Sequence, residues 1–341
     1  MRFVNDDLRW GIIGCGAVCE VKSGPAFSKI KHSSLRAVMR RDAAKAADYA
    51  KRHNVPKFYT EARQLIDDPE INAIYIATPP AQHEALAIQA MEAGKPVYVE
   101  KPLALDAASA ARMREASIRH QVPAVGAYYR RALPLFNHVK LLLRRKEIGK
   151  VKLIAITTLQ SKTKNSIMQA QDNWRVNPAL SGGGLFHDLA PHQLDLMCWL
   201  FGEPLWSNGK SFNQDKAGPA PDVTALDAVF PSDILLRGTW AFHVHESAAR
   251  ESCEIIGDQG KLVFSFFSGA ALEIVKGADK RVVEFTNPET IQQPMIEKAA
   301  AYFRGEGDNP CSFEEALVSM KMLDSARQLA DPKIDFTPQF C

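Results

Sequence analysis

Three polar residues stand at helical spacing inside an otherwise apolar segment, and their types suit proton transfer. Residues 185–201 read as a helix that glycines precede and a glycine ends. At about 100° per residue, Asp188, His192 and Asp195 fall within about 60° of one another. Such a stripe can relay a proton, bind a divalent metal ion or form a salt-bridged helix face. These residues alone leave the three alternatives open.

A second candidate is the glycine-rich segment GIIGCGAVC at the end of the first predicted strand. Gly14 permits a tight turn, and Gly16 lets the backbone approach a pyrophosphate. The helix that follows presents free N–H groups to an anion around Ala17 and Val18. Cys19 replaces the usual small third residue, which is expected to loosen helix–strand packing. An ordinary glycine turn is the alternative, but the position at a strand-to-helix junction favours dinucleotide binding.

The end of the second predicted strand indicates which dinucleotide binds. It carries Arg40 and Arg41, where NAD sites usually have an acidic residue for the ribose hydroxyls. A guanidinium binds a 2′-phosphate through charge-assisted bonds worth about 1.5–3 kcal/mol, whereas a carboxylate repels it. A solvated arginine pair, or one stacked on adenine, is the alternative. NADP is therefore the expected cofactor, with NAD as the second choice.

The segments that must position these residues fall into two regions. The first 127 residues alternate strand and helix patterns, which predicts an α/β Rossmann domain with a doubly wound parallel sheet. The strands are expected at 8–13, 35–39, 71–77, 96–99 and 123–127, and the helices at 43–52, 83–91 and 105–120.

Beyond about residue 149, strands follow strands, which predicts a mixed or antiparallel sheet in an α+β domain. These strands are expected at 151–159, 223–230, 234–244, 261–267 and 281–285. The expected domains are therefore 1–127 for the dinucleotide and 128–341 for substrate and oligomer contacts. A helix at 313–329 is expected to fold back across the structure.

Composition narrows the function classes. The chain has 341 residues, 46% of them apolar, and a formal charge of +3, which suits a two-domain globular protein. No dense basic run supports nucleic-acid binding, and no apolar stretch is long enough for a signal peptide or a membrane span. The six cysteines do not have the paired spacing of disulfides or of zinc ligands, so no metal site is expected. Free thiols are typical of a reducing compartment, so a cytoplasmic location is expected.

Two linked blocks of sequence resemble the glucose–fructose oxidoreductase, inositol dehydrogenase and rhizopine-catabolism family (Gfo/Idh/MocA). The resemblance covers nearly the whole chain and is far more specific than the glycine loop alone. The first block is IYIATPP at 74–80, His83, GKPV at 94–97 and EKP at 100–102. The second is WR at 174–175, SGGG at 181–184, Asp188, His192, Asp195 and LFG at 200–202.

The resemblance implies a C-terminal domain with an open-faced sheet that often forms an oligomer interface. A homodimer or higher homo-oligomer is therefore expected, with a small molecule as the substrate. The implied cofactor contacts are Gly14, Gly16, Thr78, Pro79, Pro80 and Glu100, the last near the nicotinamide ribose. His83 suits a cofactor contact and a helix cap or packing role about equally.

The resemblance also implies that Lys101 is the catalytic lysine and that Asp188 and His192 form the substrate-side pair. Oxidation of an alcohol removes a hydride, which the nicotinamide takes, and a proton. An ammonium group stabilises the developing alkoxide, or polarises the carbonyl in reduction. A histidine, with an unperturbed pKa near about 6.5, can exchange the proton. Asp188 lies one turn from the ring and can orient it; Asp195 is expected to be structural.

The substrate side is less specific. The segment Tyr128, Tyr129, Arg130 and Arg131 is expected to line the substrate cleft together with Trp174 and Arg175. Alternatively, the aromatic residues among them fill the domain junction. A sugar, a polyol or another cyclic carbinol or ketone would suit one lysine and one histidine. Two rival functions are an NAD-dependent glycosidase on the same scaffold and a dinucleotide-sensing regulator without turnover. The presence of Lys101 together with His192 argues against the regulator.

Overall fold

The fold was analysed in a computed structural model. It describes residues 1–341 apart from 2, 5, 162–172, 217 and 328–341. Within these residues no helix has the length and apolar character needed to cross a membrane.

The N-terminal region is a parallel sheet with helices on both faces. Its strands are β1 (Leu8–Ile13), β2 (Ser33–Met39), β3 (Lys57–Tyr59), β4 (Ala73–Ile76), β5 (Val97–Val99) and β6 (Ala124–Gly126). Its helices are α1 (Ala17–Val21), α2 (Ala26–Lys29), α3 (Ala43–Arg52), α4 (Ala62–Asp67), α5 (His83–Glu92) and α6 (Ala107–His120). The predicted Rossmann domain is confirmed.

The strand order of this sheet explains where a ligand can bind. The six strands run β3-β2-β1-β4-β5-β6, and every pair is parallel. The chain therefore winds one way from β1 to β3 and the other way from β4 to β6. In such sheets the ligand crevice lies beyond the carboxyl ends of the strands at this switch point, here between β1 and β4.

The second region is an eight-stranded mixed sheet, as expected. Its strands are β7 (Val151–Ser161), β8 (Trp206–Phe212), β9 (Val223–Phe230), β10 (Ile234–Val244), β11 (Arg250–Gly257), β12 (Lys261–Phe264), β13 (Ala271–Lys276) and β14 (Asp279–Glu284). Helix α7 (Pro134–Arg144) precedes β7, and the helices α8 (Pro178–Ser181) and α9 (Leu185–Phe201) lie between β7 and β8 in the chain. The strand order is β14-β13-β12-β11-β7-β10-β9-β8, with β7 and β10 parallel and the other neighbours antiparallel.

Helix α9 is fixed against this sheet by buried polar contacts. Gln193 donates to the Thr158 hydroxyl (2.9 Å) and accepts from the Trp240 indole (2.6 Å). On its other side, Asp195 receives two hydrogen bonds from Arg131, at 2.9 and 2.7 Å. These fully enclosed contacts hold the rotation of α9, and therefore the direction in which its other polar residues face.

The last two helices return to the first sheet. They are α10 (Gln293–Phe303) and α11 (Phe313–Ser325). The Phe303 ring lies 5.6 Å from that of Trp10 in β1, and α11 packs on α6 and α9. The helix predicted to reach residue 329 ends at Ser325, because Ala326 N bonds to Leu323 O in a tightened last turn. Residues 328 and 329 lie outside the described residues.

Candidate active site

A cleft of about 360 Å³ lies at the carboxyl ends of the parallel strands. Both sides of the switch point contribute to it, since residues after β1, β2 and β4 line its wall. Among the lining residues are Gly14, Gly16, Ala17, Val18, Arg40, Arg41, Thr78 and Pro79. The structure thus brings most of the predicted cofactor residues to one cleft.

The two loop glycines have different structural roles. Gly14 has φ +92°, and a Cβ there would lie 2.8 Å from the Thr78 amide nitrogen. A side chain at Gly14 would therefore push the β1 loop away from the β4 loop. At Gly16 a Cβ would meet only the Gly14 carbonyl, at 3.9 Å. This open space, at an N-cap of α1 that no side chain occupies, fits a dinucleotide pyrophosphate.

The β4 loop offers a free polar group to the same cleft. The Thr78 hydroxyl is buried and has no hydrogen-bond partner within the described residues. A buried polar atom of this kind is costly unless a ligand or water satisfies it. Thr78 therefore fits a cofactor contact, in agreement with the resemblance.

His83 lies beneath this loop. Its ring is fully buried, with Nε2 2.8 Å from the Thr78 carbonyl and Nδ1 3.1 Å from the Pro102 carbonyl. The ring thus ties the Thr78 loop to the segment that follows Lys101. The packing role is the better supported of its two predicted roles, and it leaves neither ring nitrogen free.

The arginines after β2 lie at the cofactor cleft. Arg40 is half-buried, and its NH1 donates to the Cys15 carbonyl (3.4 Å). Arg41 is exposed. Cys19, the departure from the usual glycine pattern, is fully buried, and the Tyr49 hydroxyl donates to its carbonyl (3.1 Å). The thiol is therefore accommodated in the core.

Glu100 is held at the end of β5 by three donors. Its Oε1 accepts from the Tyr75 hydroxyl (2.6 Å) and from the Gln292 amide (2.9 Å), and its Oε2 accepts from the Lys101 backbone N–H (3.1 Å). Gln292 is 192 residues away in sequence and precedes α10, so no local pattern indicated it. This network fixes the backbone from which the Lys101 side chain extends.

Lys101 joins the first sheet to α9. Its ammonium donates to both the backbone carbonyl and the Oδ1 of Asp188, each at 2.8 Å. The other carboxylate oxygen of Asp188 accepts from Arg175 Nε at 3.1 Å. Burial alone would raise the pKa of Asp188, but the two cations outweigh it and lower that pKa. Asp188 is therefore an ionised anchor for Lys101.

His192 lies one helical turn after Asp188 and is 5% exposed. Its Nδ1 is buried and has no hydrogen-bond partner in the described part of the chain. Burial, reinforced by the positive charges of Lys101, Arg130 and Lys22, lowers the pKa of His192 well below its usual 6.5. The ring is thus a neutral imidazole at neutral pH, next to a lysine ammonium.

The residues predicted for the substrate side fall in three places. Tyr128 lies in the core, 1% exposed, and its hydroxyl accepts from Ser319 of α11 (3.4 Å). This position favours the second of its two predicted roles, in which it fills the junction. The Tyr129 ring lies 5.2 Å from the His192 ring, edge to face. Trp174 and Arg175 line the dinucleotide cleft.

Some residues near the site were missed by sequence reasoning. Gln82 and Leu86 line the cofactor cleft. Lys22 lies near His192, and Gln292 donates to Glu100. Within the described residues, no group of three or more His, Cys, Asp or Glu side chains is arranged to hold a metal ion.

Known proteins share this sequence and fold. Residues 8–128 match the family described as "Oxidoreductase family, NAD-binding Rossmann fold", and residues 136–263 match the GFO/IDH/MocA C-terminal domain. The chain is 42% identical to Oxidoreductase P35 of Formosa agariphila, over 93% of this chain and 97% of that protein.

Two further relatives have more specific names. Inositol 2-dehydrogenase of Acidothermus cellulolyticus is 27% identical, over 76% of this chain and 73% of that protein. The structure of a levoglucosan dehydrogenase in complex with NADH and levoglucosan superimposes with a TM-score of 0.79 at 22% identity, covering 94% of this chain and 97% of that one.

Proposed function

The chain belongs to the Gfo/Idh/MocA family of NAD-binding oxidoreductases, and from this premise we propose that its substrate is a sugar, a polyol or another cyclic carbinol or ketone. A hydride passes between the reacting carbon and the nicotinamide. Lys101 polarises the substrate oxygen, and His192 exchanges its proton. The relatives named for inositol and levoglucosan support this substrate class.

A nicotinamide dinucleotide supplies the hydride acceptor or donor when bound. The residues that would hold its phosphates are the backbone around Gly14, Gly16 and Ala17, and the free Thr78 hydroxyl would face it from the β4 loop. Arg40 and Arg41 line the same cleft and would bind a 2′-phosphate, so we propose NADP as the preferred form.

The hydrogen-bond count at Lys101 carries the proposal. An ammonium has three N–H donors, and Asp188 takes two of them. The third is taken by no acceptor among the described residues and is left for a substrate oxygen, where it would stabilise negative charge as the alcohol is oxidised or as the ketone is reduced. Asp188 is a positioning residue here, because it acts through the lysine.

His192 completes the proton path. A neutral imidazole can accept the hydroxyl proton during oxidation, and its buried Nδ1 has no other partner in the described residues. Because the surrounding charges disfavour the imidazolium, the ring would pass the proton on rather than keep it. In reduction the same group would return a proton to the oxygen.

A screen of sugars, inositols and other cyclic alcohols with NADP and NAD tests the function. We expect absorbance of the reduced nicotinamide to rise with at least one member, and the reverse reaction to consume it. A glycosidase that reoxidises its substrate in every cycle would show cleavage of a glycoside without net change in absorbance. Cleavage of that kind would contradict the proposal.

A further inference from the structure

Arg130 is buried beside the proposed site with few partners. It is 8% exposed, its NH1 donates to the Phe266 carbonyl, and its Nε is buried without a hydrogen-bond partner. Its neighbour Arg131 is equally buried but forms a bidentate ion pair with Asp195. Within the described residues no carboxylate forms an ion pair with Arg130, and its Nε–H has no acceptor.

Arg130 and His192 lie near the same two aromatic rings, those of Tyr129 and Phe267. The Arg130 guanidinium carbon lies 5.1 Å from the centre of the Tyr129 ring and 4.6 Å from that of Phe267. The His192 ring centre lies 5.2 and 6.0 Å from the same two ring centres. A substrate whose reacting oxygen contacts His192 would therefore have another part of its ring near Arg130.

The turn that carries Phe266 and Phe267 is held by Glu251. Its carboxylate accepts from the Phe266 N–H (2.9 Å), the Phe267 N–H (3.1 Å) and the Ser265 hydroxyl. The strand predicted at 261–267 ends at residue 264 because of this turn. Glu251 favours the charge of Arg130 electrostatically, but its oxygens are engaged by the turn, and it forms no ion pair with the guanidinium within the described residues.

The other carboxylates at the site are also engaged. Asp188 is shared between Lys101 and Arg175, and Glu100 accepts three hydrogen bonds. Arg130 therefore has no carboxylate in direct contact within the described residues, and Glu251 attracts it without forming an ion pair. Burial of an unpaired guanidinium is unfavourable, so binding of an anion at this position would remove that penalty.

We propose that Arg130 binds the carboxylate of the substrate, and that the enzyme acts on a sugar acid, such as a uronic acid, in preference to the neutral sugar. A carboxylate is planar and can accept two parallel hydrogen bonds from a guanidinium. The Tyr129 and Phe267 rings would cover the sugar between the two polar ends. This inference rests on the proposed function and adds the charge of the substrate to it.

Matched pairs of sugars test the inference on the wild-type protein. Glucose and glucuronate, galactose and galacturonate, and mannose and mannuronate are each compared with NADP and with NAD. The readouts are kcat/KM and the quenching of bound NADPH fluorescence by the sugar. We expect kcat/KM for the acid to exceed that for its neutral partner by about tenfold or more in the reacting pair.

Variants of Arg130 make the test specific. Arg130→Gln should lower kcat/KM for the acid by about 10- to 150-fold, the range for a lost charge-assisted hydrogen bond, mainly through KM. Arg130→Lys should lose less, because it keeps the charge. Arg119→Gln is the matched control, since that arginine is exposed on α6; it should change neither value.

Each outcome supports the inference or overturns it. A neutral sugar that is the better substrate in every pair overturns the inference and leaves the proposed function intact. An equal loss for both members of a pair in Arg130→Gln overturns it as well. If that variant fails to fold, the wild-type preference decides. Neither turnover nor quenching with any pair would contradict the substrate class itself, and this inference with it.

Discussion

Single side chains at the site differ in how many hydrogen-bond donors and acceptors they have left. With the described residues as possible partners, Lys101 keeps one N–H after its two bonds to Asp188, and the buried Nδ1 of His192 has no hydrogen bond. By contrast, Asp195 and His83 have their polar atoms engaged by the protein. Unused hydrogen-bond donors and acceptors, rather than residue type, distinguish the side chains that can take part in catalysis from those that have a structural role.

The pH dependence of oxidation should reflect the lowered pKa of His192. Because the folded pKa lies below 6.5, the ring stays neutral through neutral pH, and the oxidation rate should be flat there. The rate should fall only at more acidic pH, as the imidazole takes up a proton. The neutral ring's contribution to stability is likewise lost as the pH falls toward that pKa. A pH series of kcat/KM measures this.

The variant His192→Asn is the control for this profile. It should lower the rate by about 10²- to 10⁴-fold and remove the acidic limb. A wild-type profile that falls already above about pH 7 would contradict the assignment. So would an unchanged profile in the variant.

Cofactor preference should depend on the arginines after β2. The double variant Arg40→Gln, Arg41→Gln removes both charges from the cleft. We expect the Kd for NADPH to rise by about 10- to 150-fold and the Kd for NADH to change little, as measured by fluorescence titration. Arg119→Gln, an exposed arginine on α6, should have no effect. A tighter wild-type complex with NADH than with NADPH would refute the NADP assignment.

Sequence reasoning found Lys101, Asp188 and His192 because each lies in a local pattern. It missed Gln292, and it named Arg130 only as one member of the segment 128–131, since the roles of both residues depend on contacts between distant segments. Tyr128 and Tyr129 show the difference most clearly. They are adjacent and identical in type, yet one faces α11 and the other faces His192, and no local pattern separates them.

At the scale of elements, the two loop glycines should respond differently to substitution. Gly14→Ala places a methyl group 2.8 Å from the Thr78 amide in a left-handed conformation. It should lower the melting temperature and weaken cofactor binding together. Gly16→Ala meets nothing closer than 3.9 Å, so it should preserve the melting temperature and raise the Kd alone. Calorimetry and titration give both values.

The two substitutions control for each other. Equal losses of stability would show that Gly16 has a structural role in the loop. An unchanged Kd in Gly16→Ala would contradict the placement of the pyrophosphate against this glycine.

Element bounds were predictable where burial alternates strongly along the chain. The predicted bounds of α3, β9, β10 and α9 match those observed. By contrast, β8 was not predicted, because its sequence WSNGKSF has few strand-forming residues and its only partner is β9. Hydrogen bonding to β9 stabilises β8 as a strand although its own residues have low β-propensity. The same reason applies to the polar strand β11, which lies between β7 and β12.

At the scale of the whole molecule, an apolar row crosses the open face of the second sheet. The pairing registers place five residues side by side on neighbouring strands. Leu235 is 36% exposed and Trp206 is 50% exposed. A continuous apolar row in contact with water is typical of an interface. The row, in order across the sheet, is Ile256, Leu153, Leu235, Val229 and Trp206.

We propose that this row contacts a second copy of the chain. Leu235→Glu should lower the sedimentation coefficient toward that of a monomer, because a charge in the middle of the row is costly to bury. Ile118→Glu on α6, at a residue that is 55% exposed, should leave the assembly unchanged. A wild-type protein that sediments as a monomer at all concentrations would rule the proposal out.

The most direct test of the catalytic arrangement is the variant Lys101→Met, measured with a substrate found in the screen. Methionine keeps much of the side-chain volume and removes the charge, while Arg175 still pairs with Asp188. We predict that kcat falls by about 10²- to 10³-fold, whereas the Kd for the dinucleotide changes by less than about threefold. A kcat within a few-fold of the wild-type value would contradict the account.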